Sequence, residues 1–287
     1  MFRCRGAGRP LLTIALFAAG IPWGALRAQT VLLQIKPDIG DTLHMRLDQQ
    51  TELVGTRRVG NGESVTSVQT SMRVFSRAIV EGTSKQGTLL RAITDSVRLT
   101  TTDEHARPMS DQTQRMLEGR SMRLRVAPDG TATVAEEKGD TPRDMSEVVS
   151  LMPAAFPMKA VVVGDSWTRE MALPGSSRLT PGGAPASGWL RAKFKLDSLG
   201  RDGGLAYVSM RGEMDGEVDR RTDTTLGPVL EKGTVTGTLI VDQRRRWVAE
   251  SHFVIVVRSS VALPGGATPP MRFQTRITQR MRTLERR

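Results

Sequence analysis

Four carboxylates, Glu213, Asp215, Glu217 and Asp219, recur at every second position. On a strand, residues two apart share a side at about 6.6 Å from each other, so this spacing presents a ladder of negative charge along one face. Such a ladder can attract a cation, but a calcium loop needs a tight turn and a distal bidentate Glu, and Thr224 stands where that ligand would fall. The ladder therefore reads as a solvated acidic face. Its natural complement is the stretch Met271 to Leu284, where Arg272, Arg276, Arg280 and Arg282 share one side and Met271, Phe273, Ile277 and Met281 the other. Opposite charges on neighbouring strands stabilise a sheet by about 0.2–1 kcal/mol per pair, so these two strands are expected side by side. Failing that, Arg272, Arg276 and Arg280 face an anionic surface or a protein partner. Arg244-Arg245-Arg246, at a hairpin tip, is either solvated or a second contact for an anionic envelope surface.

Catalytic chemistry finds little support. Of His44, His105 and His252, only His105 has acidic neighbours, in Asp103-Glu104-His105, and no second ligand set accompanies that cluster. The other two fall in the polar phase of strands. Ser166, in Gly164-Asp165-Ser166-Trp167, precedes a strand, whereas a nucleophile elbow joins a strand to a helix, and no Gly-x-Ser-x-Gly string occurs. The Gly-Asp-Ser string is similar to the nucleophile motif of one lipase family. That family places it near the mature N-terminus and adds a late Asp-x-x-His block, and neither condition holds here. There is no phosphate-binding glycine loop, paired-cysteine zinc motif or heptad seam. No enzyme, catalytic residue, cofactor or metal is expected.

The N-terminus carries Arg3, Arg5 and Arg9, an apolar run from Pro10 to Leu26, and Ala28 before the polar Gln29-Thr30. This is the pattern of a signal peptide cleaved after Ala28, since Gly20, Pro22 and Gly24 interrupt a run too short to span a bilayer. Cys4, the single cysteine, precedes the apolar run and is misplaced for a lipoprotein. The mature chain, 259 residues from Gln29 to Arg287, then has neither disulfide nor thiol and must be stabilised by packing. A periplasmic or secreted monomer is expected. Removing four arginines lowers the balance from +11 to +7, with 37 basic residues against 30 acidic. Only nine aromatic residues remain, which argues against a single-stranded nucleic-acid groove, so no nucleic-acid partner is expected. Thirteen methionines suit either an ordinary core or the lining of an adaptable apolar cavity.

Most of the mature chain reads as strands. Leu43, Met45 and Leu47 alternate with His44, Arg46 and Asp48; Val68, Met72, Val74, Ala78 and Val80 share a face; Leu190, Ala192, Phe194 and Leu196 alternate with charged residues. Val31 to Ile35 reads as a further short strand. Ser110 is expected to cap a short helix over 111–118, closed by Gly119. A second helix starts at Thr141 with Pro142 and Asp144, buries Met145, Val148, Val149 and Met152 at i, i+3, i+4 and i+7, and stops at Pro153. The segment 141–168 divides a single β-rich domain, 29–287, into two halves, and 174–188 reads as a flexible loop. Ile39-Gly40-Asp41-Thr42-Leu43 echoes Val163-Gly164-Asp165-Ser166-Trp167, either as a true repeat or as shared turn chemistry.

The expected fold is mainly β: an antiparallel meander curled into a barrel or open half-barrel with two short helices. Through the Gly164-Asp165-Ser166-Trp167 turn and the hairpin from Gly237 through Val241-Asp242 to Trp247 and Ser251, the chain resembles the outer-membrane lipoprotein carrier superfamily and related secreted bacterial families. That resemblance implies a half-barrel enclosing an apolar cavity for acyl chains. The candidate lining is Met145, Val148, Val149, Met152, Phe194, Met210 and Phe253. The alternative is an envelope module with a packed core that meets anionic surfaces or a protein through its arginines.

Overall fold

The computed structural model describes residues 29–136, 155–173, 188–216, 228–261 and 269–285. The proposed leader and the expected helix after Thr141, with Met145, Val148, Val149 and Met152, lie outside the described residues. Eleven strands form one sheet: β1 (Thr42–Val59), β2 (Gly62–Ser84), β3 (Gly87–Thr101), β4 (Ser121–Val126), β5 (Ala132–Glu136), β6 (Ser166–Leu173), β7 (Gly188–Leu199), β8 (Leu205–Gly216), β9 (Pro228–Asp242), β10 (Trp247–Val261) and β11 (Met271–Leu284). Their order is β5-β4-β3-β2-β1-β11-β10-β9-β8-β7-β6, and every neighbouring pair is antiparallel. The chain is thus a meander whose first and last strands pair at the centre, and whose edges, β5 and β6, are successive in sequence.

Strand length sets the shape. The edge strands have five and eight residues, whereas β1 and β2 have 18 and 23. At about 3.3 Å per residue, the central strands extend far beyond the edges. At one end Phe156 and Arg169 link the β4–β5 turn to β6, giving a closed end without a ladder between the edges; at the other the central strands run on alone. The architecture is therefore an open half-barrel.

The closed end is held by two segments outside the strands. Residues 31–37 run across it: Val31 and Val161 exchange backbone hydrogen bonds of 2.8 Å, the Ile35 N–H donates to the Pro128 carbonyl, and the Lys36 N–H donates to the Arg246 carbonyl. Leu33 and Ile35 are buried there, but Val31 to Ile35 makes one isolated bridge instead of the expected strand, because the Val31 and Ile35 donors go to two different elements and that of the next residue, Lys36, to a third. Phe156 fills the seam. Its N–H donates to the Asp129 carbonyl between β4 and β5, and its own carbonyl accepts from Arg169 on β6. Arg169 also lies 3.6 Å from the Asp129 carboxylate, and the Trp167 indole donates to the Ala155 carbonyl at 2.8 Å. Polar contacts thus bridge two edges that no strand ladder joins.

The echoed turns are built alike. Gly40 (φ 87°) and Gly164 (φ 98°) take the left-handed conformation that glycine adopts without penalty. In each turn the Asp side chain accepts from a backbone N–H three residues earlier, Asp38 to Asp41 at 3.2 Å and Val162 to Asp165 at 3.0 Å. Each then docks on the following hairpin arm by two backbone bonds, to Val80 in the first case and Leu196 in the second.

Among the described residues there is one helix, α1 (Arg107–Leu117). It begins four residues before the expected start. Pro108 sits in its first turn, and Ser110, instead of capping, turns its hydroxyl back to the Ala106 carbonyl. The helix covers a free edge. β4 pairs with β3 only from Thr88 to Ile93; beyond that, the N–H groups of Val97 and Leu99 donate to the side chains of Glu118 and Gln114.

Candidate functional site

Period two assigns each strand residue to one of two faces. One face is mainly apolar, and at the closed end it is packed. Phe194, Leu196, Ala206, Val208, Met210 and Val241 are buried, and Trp167 stacks on Phe194 with ring centroids 5.9 Å apart and planes 9° from parallel. On the long central strands the same face continues with Leu47, Leu53, Val68, Met72, Val74, Phe253, Ile255 and Ile277, all half-buried. Cross-strand pairing builds the strip in rungs: Leu47 stands between Val74 and Met281, Val68 opposes Leu53, and Ile277 opposes Ile255, with Gln49 opposite Gln279 and Thr51 opposite Ile277 between them.

Phe194 and Met210 thus belong to the packed end and oppose each other on β7 and β8. Phe253 stands where packed end and strip meet, facing Gly237, which carries no side chain to obstruct its ring. The strip residues Leu47, Met72, Val74, Ile255 and Ile277 are additions to the lining expected from sequence. Their alternation is readable there, but their fractional burial depends on how far the central strands outrun the edges.

The polar face is organised in rungs. Arg98, Arg73, Asp48, Arg280 and His252 stand directly opposite one another on the successive strands β3, β2, β1, β11 and β10. On one side lies a neutral rung of Thr100, Ser71, Gln50 and Thr278. On the other lie Phe75, Arg46, Arg282 and Glu250, with the Arg46 guanidinium 5.9 Å from the Phe75 ring centroid. The first two rungs, with Glu250 from the third, line a polar groove of about 810 Å³. Asp48 accepts from Arg46 at 2.9 Å and from Arg73 at 2.8 Å. The Arg46 guanidinium, with Arg73 beside it, holds the Asp48 carboxyl below the usual carboxylate range. Glu250 accepts from Arg280 at 2.7 Å and lies 3.9 Å from Arg282.

A lowered pKa means that the Asp48 contribution is complete above the ordinary aspartate value and is lost as pH falls through the depressed one. The melting temperature of the wild type is therefore expected to fall on acidification through that range. Asp48→Asn removes this component, so its acid slope should be shallower; equal slopes in a calorimetric pH series would contradict the assignment.

The acidic and arginine strands are not neighbours. β8, with Glu213 and Asp215, lies between β7 and β9, whereas β11 lies between β10 and β1. A meander pairs each strand with its sequence neighbours, and β11 escapes this only because it meets β1. Glu213 opposes Arg191, and Asp215 opposes Lys232; Glu217 and Asp219 lie outside the described residues. Arg280 is bound to Glu250, while Arg272 and Arg276 are exposed, Arg276 opposite Glu52. At the β9–β10 tip each arginine faces a carboxylate: Arg244 donates to Asp202 at 2.6 Å, Arg245 lies 3.8 Å from Asp242, and Arg246 pairs with Asp38. His105 is solvent-exposed beside Asp103, and among the described residues no group of three or more His, Cys, Asp or Glu side chains could hold a metal ion.

No family model and no curated protein matches the chain. Among solved structures, the chain is similar to DynF from the dynemicin biosynthesis pathway of Micromonospora chersina, with 10% identity, 97% of this chain and 94% of that one covered, and a TM-score of 0.23. It is also similar to OpdQ of Pseudomonas aeruginosa, with 7% identity, 86% and 100% covered, and a TM-score of 0.22. The Salmonella injectisome secretin InvG gives 6% identity, 86% and 60% covered, and a TM-score of 0.20. None of these three is a lipoprotein carrier, and at such TM-scores none carries an argument about this chain.

Proposed function

We propose that the chain is an exported, non-enzymatic binding protein that holds an acyl chain or lipid along the apolar strip of its central strands. The single observation behind this reading is the half-burial of large apolar side chains in neighbouring rungs, Val74–Leu47–Met281 and Ile277–Ile255, beyond the packed end. An apolar surface left partly in water costs about 25 cal/mol per Å² relative to burial, and exposed apolar patches mark ligand or partner sites. An extended hydrocarbon matches the geometry, since it needs length and apolar contact but no specific hydrogen bonds. Export rests on the N-terminal pattern of arginines, apolar run and Ala28.

The test is native mass spectrometry of residues 29–287 purified from a bacterial periplasm, with organic extraction of whatever travels with the protein. A reproducible mass excess identified as lipid is expected, and Ile255→Arg should abolish it by placing a charge in the strip. Val74→Arg serves as a second variant, each being checked for a retained thermal transition. A clean apo mass, together with no binding of fluorescent fatty acids, would overturn the reading.

A further inference from the structure

The polar groove contains a charge arrangement that the protein's own side chains leave unbalanced. Like charges directly opposite on neighbouring strands destabilise a sheet, yet Arg73 opposes Arg98 in the groove, and Arg46 opposes Arg282 on the rung beside it. With Arg280, three guanidinium groups line the groove beside two carboxylates, Asp48 and Glu250, and Arg46 and Arg282 stand on the adjoining rung. Asp48 is engaged by Arg46 and Arg73, and Glu250 by Arg280 and Arg282. Among the described residues Arg98 has no carboxylate within ion-pair distance, and the Arg282 Nε is buried without a hydrogen-bond acceptor.

From this we infer that the groove is a binding site for a soluble anion bearing two or more phosphate groups on a hydroxylated framework, the chemistry of a phosphorylated sugar. The phosphates lie toward Arg98, Arg73 and Arg280, because planar guanidinium groups bind such oxyanions in a bidentate manner. The framework lies along Ser71, Gln50 and Thr278, whose hydroxyl and amide groups both donate and accept. A volume of about 810 Å³ exceeds the needs of an inorganic ion and falls within the range of small-molecule sites. A bare metal cation is disfavoured, because both carboxylates already face two arginines each. Its arginines project from the opposite face to the strip residues Leu47, Val74, Ile255 and Ile277, and Met72 is the strip residue that also borders the groove, so the acyl-chain reading is tested by separate variants.

Calorimetric titration of residues 29–287 with glucose 1,6-bisphosphate tests it, with glucose and sulfate as comparison ligands. The bisphosphate is expected to bind with an affinity that falls as salt is added and to raise the melting temperature; glucose should not bind, and sulfate should bind at least tenfold more weakly. Arg98→Ala should weaken bisphosphate binding about tenfold or more. Without ligand it should melt no lower than the wild type, because it relieves a like-charge pair. Arg211→Ala, exposed on the same face outside the groove, should stay within about twofold. Equal affinity for sulfate and bisphosphate, equal losses in the two variants, absence of binding, or binding confined to anionic phosphatidylglycerol vesicles would each overturn the assignment.

Discussion

Phe156→Ala is expected to lower the unfolding free energy by about 3–5 kcal/mol, the usual cost of truncating a buried Phe, and the melting temperature by about 10 °C. The ring is almost completely buried in the core cluster and lies where the barrel has no ladder between β5 and β6. Elsewhere in the sheet a lost side chain leaves the strand hydrogen bonds to limit relaxation. At the seam, among the described residues, the bonds from Phe156 to Asp129 and Arg169, the Asp129–Arg169 ion pair and the Trp167–Ala155 bond remain. A cavity there removes the packing that aligns these groups, so the cost should fall at the upper end of the range. Met158→Ala, two residues on and largely exposed, should change stability by less than about 0.5 kcal/mol. Urea midpoints of the two variants settle the matter; a Phe156→Ala midpoint near that of Met158→Ala would mean that Phe156 does not hold the seam.

The strands are legible in the sequence because their alternation is strict. Leu190 to Leu196 and Met271 to Leu284 fall where period two puts them, and the hairpin turn at Pro128-Asp129-Gly130 lies where its turn chemistry indicates. Less legible is whatever depends on partners distant in sequence. β1 and β11 are more than 200 residues apart, so no local pattern says that Asp48 will face Arg280, and charge complementarity alone gives the acidic ladder the wrong neighbour for that reason. The apolar segment Val31 to Ile35 has the pattern of a strand, yet it is used as a plug, a choice made by the space it fills. Of the candidate site, the apolar phase is visible, but alternation assigns Phe194 and Leu47 to the same face without saying that one is in a packed end and the other in an open strip. The groove escapes a sequence reading because its signal is the juxtaposition of Arg73 with Arg98 and Arg46 with Arg282, each a matter of register.

Gly87→Ala is expected to be as damaging as loss of the seam packing, although it adds a single methyl group. Gly87 closes the β2–β3 turn with φ at 132°, a region that residues with a side chain rarely adopt. The strain alone costs about 1–3 kcal/mol. A Cβ at this position would also lie 2.3 Å from the Val126 carbonyl oxygen and 2.8 Å from its carbon. Both are backbone atoms of β4, so no rotamer change relieves the clash; β4 itself must move. That displacement would propagate, because the turn after β4 supplies the Pro128 carbonyl to Ile35 and the Asp129 carbonyl to Phe156. A total cost of about 4 kcal/mol or more is therefore expected, near the exceptional end for single substitutions. Gly82→Ala is the matched control: it lies on β2, five residues earlier, where an added Cβ would meet no heavy atom within 4 Å and φ is not left-handed. It should be neutral or slightly stabilising, since alanine restricts the unfolded chain. If the two alanine variants unfold at the same urea concentration, the close approach of β4 to Gly87 is not a constraint on the fold. If Gly87→Ala alone collapses, and amide exchange in β4 accelerates more than in β8, the closed end of the barrel depends on a turn that only glycine can make.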